Sequence, residues 1–164
     1  MNIYRKTIVI LIVLSFVILS YTENDFLSEL TTHCVATVLS NFVGITPVTA
    51  GNILFLEMNN YVVPILISFG CTGFMFISIF ALAMFIMPGI SLTHRIISIL
   101  LLPLIYFANI ARIVLGVIIG NYTNISMMTF FHDTVGQMFL LIFTVVALVL
   151  FLNILGYIKL KRNL

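Results

Sequence analysis

RIISILLLPLIYFANIARIVLGVIIG, residues 95–120, decides the fold. After its opening arginine, this run holds one charge, Arg112, and one helix breaker, Pro103. A helix needs about 20 apolar residues to cross the hydrocarbon core of a bilayer, and a proline is tolerated there as a kink. The run therefore reads as a transmembrane helix. Three other stretches share its character, at 7–21, 70–87 and 134–158. The first follows Arg5 and Lys6 and ends Ile18-Leu19-Ser20-Tyr21, which lacks a small-x-small cleavage site. It is expected to be an uncleaved anchor rather than a signal peptide. The second ends at Pro88-Gly89, and the fourth runs into Lys159, Lys161 and Arg162.

Composition agrees. Hydrophobic residues make up 62% of the 164, charged residues 7%, and the mean hydropathy is +1.27. A soluble domain carries about a quarter charged residues, so a soluble domain is excluded, as are disorder, collagen and a disulfide-stapled secreted module. A net charge of +2 with no basic patch gives no grip on phosphates, so no nucleic-acid partner is expected. With no Trp, any interfacial aromatic belt rests on Tyr and Phe.

The basic residues orient the spans. Arg5 and Lys6 precede the first, His94 and Arg95 separate the second from the third, and Lys159, Lys161 and Arg162 follow the fourth. Four spans place all three segments on one side, which the positive-inside rule makes the cytoplasm, with both termini there. Segments 22–68 and 121–133 then face outward, and every acidic residue falls in them: Glu23, Asp25, Glu29, Glu57 and Asp133. In the first outer segment, Leu27, Leu30, Cys34, Val35, Val38, Leu39 and Phe42 recur at helical spacing. They predict an amphipathic helix over 27–44, lying on or partly in the membrane. Residues 52–69 read as a β-hairpin turning at Met58-Asn59-Asn60. Without linker or repeat, residues 1–164 read as one membrane domain. The expected fold class is an all-α polytopic membrane protein with four transmembrane helices, an outer amphipathic helix and a short hairpin.

Three polar positions stand out where lipid makes polarity costly. Cys71 lies in Gly70-Cys71-Thr72-Gly73 at the entry to the second span. It is either a small buried hydrophobe or, in the first helical turn, a thiol acidified by the helix dipole. Arg112 lies about two turns below the outer end of the third span, with Asn109 three residues back on the same face. It either snorkels to the headgroups or belongs to an internal polar site. His132 opens the fourth span, beside Asp133 as that helix's N-cap. It is a solvent-facing histidine or a general base titrating near neutrality. Together they offer a thiol, a base and an oxyanion or carboxylate binder, the groups that thiolate attack on a carbonyl requires. Cys34, the other cysteine, offers a disulfide to Cys71 as a competing role. No His-Glu-x-x-His zinc motif and no Gly-x-Ser-x-Gly elbow occurs, so no metal or cofactor is expected.

The order Cys71-Thr72-Gly73, then Asn109-x-x-Arg112-Ile113, then His132 with Gly136 four residues on, resembles the exosortase/archaeosortase family over about residues 28–155. Thr72 stands where Ser is commoner. The resemblance implies a cysteine protease-transpeptidase in the cytoplasmic membrane, its active site on the outer face. Cys71 would be the nucleophile, Arg112 the oxyanion or substrate binder, His132 the acid/base partner, and Asn109, Thr72 and Gly73 supporting residues. Substrates would be secreted proteins ending in a short motif, a membrane helix and a basic tail, with an amine acceptor, in the archaeal branch a lipid. A non-catalytic membrane scaffold or transporter subunit is the alternative. A scaffold predicts that the three side chains stay apart.

Overall fold

A computed structural model describes residues 25–58, 61–87 and 92–162, with scattered helical positions between 7 and 18. The span expected over 7–21 lies partly outside the described residues, and Asn59-Asn60 and Pro88-Gly89 lie outside them.

Helix α1 spans Asp25–Val38 and continues through a π turn, Leu39–Val43. Its buried stripe is only partly the apolar one expected: Val35 and Leu39 are buried, and Cys34 and Val38 pack partly buried against the same core. Ser28, Thr31, Thr32, Val35 and Leu39 face inward, whereas Leu30 and Phe42 are exposed. Thr31 and Thr32 donate to the carbonyls of Leu27 and Ser28 at 2.8 Å, which satisfies their hydroxyls within the helix. Such small, self-satisfied residues let α1 pack closely against its neighbours.

Three antiparallel strands follow, β1 (Val48–Ala50), β2 (Ile53–Met58) and β3 (Tyr61–Leu66), in the order β1-β2-β3. The sequence reading placed a hairpin at 52–69; β1 is additional. It is joined to β2 through Gly51-Asn52, between the paired residues Ala50 and Ile53, and such a two-residue turn is favoured hairpin chemistry. On β2, Leu54, Leu56 and Met58 are buried. They join Val35, Leu39, Ile110, Ile113, Val114 and Val117 in one core cluster. The sheet and α1 thus clamp the C-terminal half of the long helix described next.

A 3-10 turn, Phe69–Thr72, leads through Gly73 into α2 (Phe74–Ile86). Helix α3 (Leu92–Ser98) passes through a 3-10 turn, Ile99–Leu101, into α4 (Leu102–Tyr122). Pro103 sits in the first turn of α4. It does not kink a helix interior as the sequence suggested; its missing N–H is one of the helix's orphan donors in any case. Helix α5 (Ile125–Phe130) runs through a π turn, Phe131–Val135, into α6 (Gly136–Arg162).

Among the described residues, two helical runs are long and apolar enough to cross a membrane: Ile99–Tyr122, of 24 residues, and Ile125–Asn153, of 29. At about 1.5 Å per residue, both exceed a hydrocarbon core of about 30 Å. Four spans are not confirmed among the described residues. Helix α2 has only 13 residues, because the Phe69–Thr72 turn and Gly73 take up what read as its first turn. A second core cluster packs Phe80 and Met84 of α2 against Ile105 of α4 and Leu140, Ala147 and Phe151 of α6. The outer faces of α4 and α6 stay apolar, with Phe107, Leu115, Met138, Ile142 and Val145 exposed, as contact with lipid requires.

Candidate active site

Cys71 is held by its own turn. Its backbone N–H donates to the Ser68 carbonyl at 2.9 Å, and its Sγ lies 3.5 Å from Ser68 Oγ. Thr72 is buried and donates its hydroxyl to the Phe69 carbonyl at 2.7 Å, while the Phe74 N–H donates back to it at 3.3 Å. Thr72 therefore closes the turn and starts α2; its hydroxyl serves the backbone. Cys71 lies ahead of α2 rather than in its first turn, two residues before the cap Gly73.

Asn109 fixes the turn from the side. It is fully buried, and Nδ2 donates to the Cys71 carbonyl at 2.7 Å. This approach depends on Gly73, which has φ +74°, and where an added Cβ would stand 2.8 Å from Asn109 Cγ. Gly73→Ala therefore combines a left-handed backbone with a clash, and is expected to cost about 2–4 kcal/mol. A fall in the thermal midpoint of the detergent-solubilised protein measures it. Gly70→Ala, whose Cβ would meet only Ser68 Oγ at 3.8 Å, serves as the tolerated control.

Arg112 does not snorkel. It is 2% exposed, and its Nη2 lies 3.2 Å from His132 Nε2. A guanidinium only donates, so Nε2 accepts and the ring proton sits on Nδ1. That proton is donated to Asp133 Oδ1 at 2.9 Å. Asp133 is therefore no N-cap: the helix continues through it, and its carboxylate orients the imidazole. The sequence reading missed this role, although the adjacent His-Asp pair is visible in the sequence. It was hidden by the expectation that the fourth span begins there.

His132 lines the same cleft as the Cys71 thiol. Burial pushes that thiol up. The influence of His132, then that of Ser68, more than reverses this and brings it from 9.0 to about 7. Cys34 and Cys71 are both free thiols, so the disulfide alternative is not formed. Cys71, Arg112 and His132, drawn from the turn before α2, from α4 and from the π turn before α6, thus form one cluster. Two buried polar atoms in it, Asn109 Oδ1 and Arg112 Nε, have no hydrogen-bond partner.

Beside the cluster lies a cleft of about 210 Å³. Cys71, His132 and Asp133 line it together with the apolar Ile65, Leu66, Ile113, Val117 and Met128. Such a site offers a partly activated thiol, an oriented imidazole, a buried guanidinium and low local polarity, a set suited to acyl transfer.

The sequence model of a family described as transmembrane exosortase matches residues 2–152. No curated protein matches the chain, and no solved structure does.

Proposed function

We propose, from the premise that this chain belongs to the transmembrane exosortase family, that it is a membrane cysteine protease-transpeptidase acting on C-terminal sorting tails at the outer face of the cytoplasmic membrane. The observation that carries this reading is that Cys71 and His132 line one apolar cleft, with the buried Arg112 bonded to His132 and the thiol lowered to about 7. A scaffold has no use for an acidified thiol there.

The chemistry follows from the hydrogen bonds. With its proton on Nδ1, His132 keeps its lone pair on Nε2, the atom that takes the Cys71 proton. Once protonated, Nε2 no longer accepts from Arg112, and the guanidinium is released toward new negative charge. The thiolate attacks the scissile carbonyl, forming a C–S bond, and the carbonyl electron pair becomes an oxyanion that Arg112 stabilises. Collapse breaks the C–N bond, and the leaving amine takes the proton from His132 Nε2. An acceptor amine then attacks the thioester and gives up a proton to His132, and the thiolate leaves. The apolar cleft limits water, which favours aminolysis over hydrolysis. The substrate's basic tail would stay in the cytoplasm by the positive-inside rule, so its cleavage site would emerge at the outer face.

Alkylation of Cys71 across pH tests the base. The thiolate fraction rises with pH, so with a midpoint of about 7 the reactive fraction is about 10% at pH 6 and about 90% at pH 8. In His132→Ala the largest influence that lowers the midpoint is lost while burial still raises it, so the midpoint moves up and less thiolate is present at pH 7. Mass-spectrometric counting of iodoacetamide adducts on Cys71, with Cys34 counted separately in the same membranes, reads this out. An unchanged midpoint in His132→Ala would remove His132 as the base.

A further inference from the structure

Strand β3 is an edge strand: in the order β1-β2-β3 its second side has no partner among the described residues. That side meets the candidate active site. Ile65, Leu66 and Ile67 all line the cleft that holds Cys71 and His132. Consecutive strand residues point to opposite faces, so a cleft touching all three wraps the strand's edge rather than one face.

The register says which backbone groups are free there. The Ile67 N–H donates to the Asn52 carbonyl at 2.9 Å, and Leu66 pairs with Ile53, Ile65 with Leu54 and Pro64 with Phe55. In an antiparallel ladder, bonded and non-bonded pairs alternate. Ile67, Ile65 and Val63 therefore point their N–H and C=O groups at β2, and Leu66, Pro64 and Val62 point theirs away. Pro64 has no N–H to lose and occupies an outward position, where an edge strand admits proline. It also limits how far another strand can pair along this edge. What remains open beside the thiol is a donor and an acceptor on Leu66 and an acceptor on Pro64. Unpaired backbone groups at the border of a lipid phase are costly, and the nearby thiol acts only on a carbonyl brought to it in fixed geometry.

We propose that the substrate reaches Cys71 as an extended strand added to the free edge of β3, its backbone paired with Leu66 N–H and C=O and its inward side chain in the apolar cleft. This rests on the acyl-transfer reading and deepens it: the substrate is recognised first as extended backbone with a small or apolar side chain next to the scissile bond. Pro64 keeps the added strand short. Leu66 is thereby a substrate-positioning residue that acts through its backbone, which no motif of side chains discloses.

The test uses the full chain in membranes and a peptide that alkylates thiols, acetyl-Val-Thr-Val-Ala chloromethyl ketone. The Cys71 thiolate displaces chloride from it, forming a C–S bond. Two analogues carry N-methyl groups on alternate amides, one set or the other. Strand addition directs one set at β3 and the other away, so one analogue is expected to label Cys71 about 10-fold more slowly than the parent and the other within about 3-fold. Leu66→Pro removes the outward N–H without touching the β2 ladder. It is expected to slow labelling by the parent peptide about 5- to 10-fold more than labelling by iodoacetamide; an equal slowing in Leu66→Ala, which keeps the N–H, would assign the loss to the cleft-lining side chain and overturn the backbone role. If both analogues match the parent, strand addition is wrong while the reactive thiol stands. If iodoacetamide itself leaves Cys71 unmodified at pH 8, the acyl-transfer reading falls and this inference falls with it. Should Leu66→Pro also change the iodoacetamide rate, its fold is disturbed, and the two analogues on the unaltered protein decide.

Discussion

Cys71→Ala is expected to abolish processing of a secreted reporter that ends in a short motif, a membrane helix and a basic tail. Losing the nucleophile of a catalytic set removes about 10⁴- to 10⁶-fold of rate, far below what a cell-based assay registers, so the reporter should accumulate entirely as precursor. The fold should survive. Cys71 is only partly buried, and the bonds that hold its turn are made by backbone groups and by Asn109, Thr72 and Ser68, none of which needs the sulfur. The thermal midpoint of the purified variant should therefore stay within a few degrees. Cys71→Ser is the sharper variant. It keeps an oxygen within reach of Ser68 and His132, but a hydroxyl has no appreciable anion near pH 7 and is the weaker nucleophile without full base assistance. It should also be inactive. Mature reporter in Cys71→Ala cells that lack any other processing enzyme would end the thiol mechanism, whatever the cluster's geometry.

Much of the site was legible before the fold because lipid removes the bland explanations. In a soluble protein, a lone Arg, a Cys and a His spread over sixty residues say little. In a chain this apolar, each polar group inside a span needs a reason, and Asn109 and Arg112 three apart on one helix share a face by helical geometry alone. What sequence could not supply was the joints between elements. The 3-10 turn that takes Cys71 off the start of α2, the placement of Pro103 in a first turn and the π turn that brings His132 and Asp133 together are each decided by tertiary packing over a few residues. Hydrophobic periodicity is blind at that scale. The stripe of α1 held at Val35 and Leu39 and missed Ser28, Thr31 and Thr32, whose hydroxyls periodicity does not count as core, while Leu30 and Phe42 face out of this protein. Strand β1 is three residues long, too short for an alternating pattern to register.

Gly136→Ala is the second large effect expected, and it falls on a residue that carries no chemistry. Gly136 opens α6 directly after the π turn, where Arg112 passes against its backbone. A Cβ there would stand 2.6 Å from Arg112 Cγ, 2.9 Å from its Cδ and 3.0 Å from the Phe131 carbonyl oxygen. These are atoms at the base of a buried side chain and in a helical backbone, so no flexible tip is available to give way. Either α4 and α6 separate, or the arginine swings out and gives up its bond to His132 Nε2. Misplacing a positioned group by about 1 Å costs about 10²-fold in rate, and overpacking costs about 1–3 kcal/mol; both should appear, as slow reporter processing and a lower thermal midpoint. Gly116→Ala is the internal control. It lies on α4 near the same π turn, but its Cβ would meet His132 Cβ and Phe131 Cδ1 at an ordinary 3.8 Å, so it should change little. A double-mutant cycle then isolates the cause. Arg112→Ala deletes the Cγ and Cδ that Gly136→Ala would strike, so in that background Gly136→Ala should add less than about 1 kcal/mol to the stability loss, a strong departure from additivity. If the two losses simply add, the cost at position 136 comes from the α6 backbone and not from Arg112, and Gly136 is no cradle for the guanidinium.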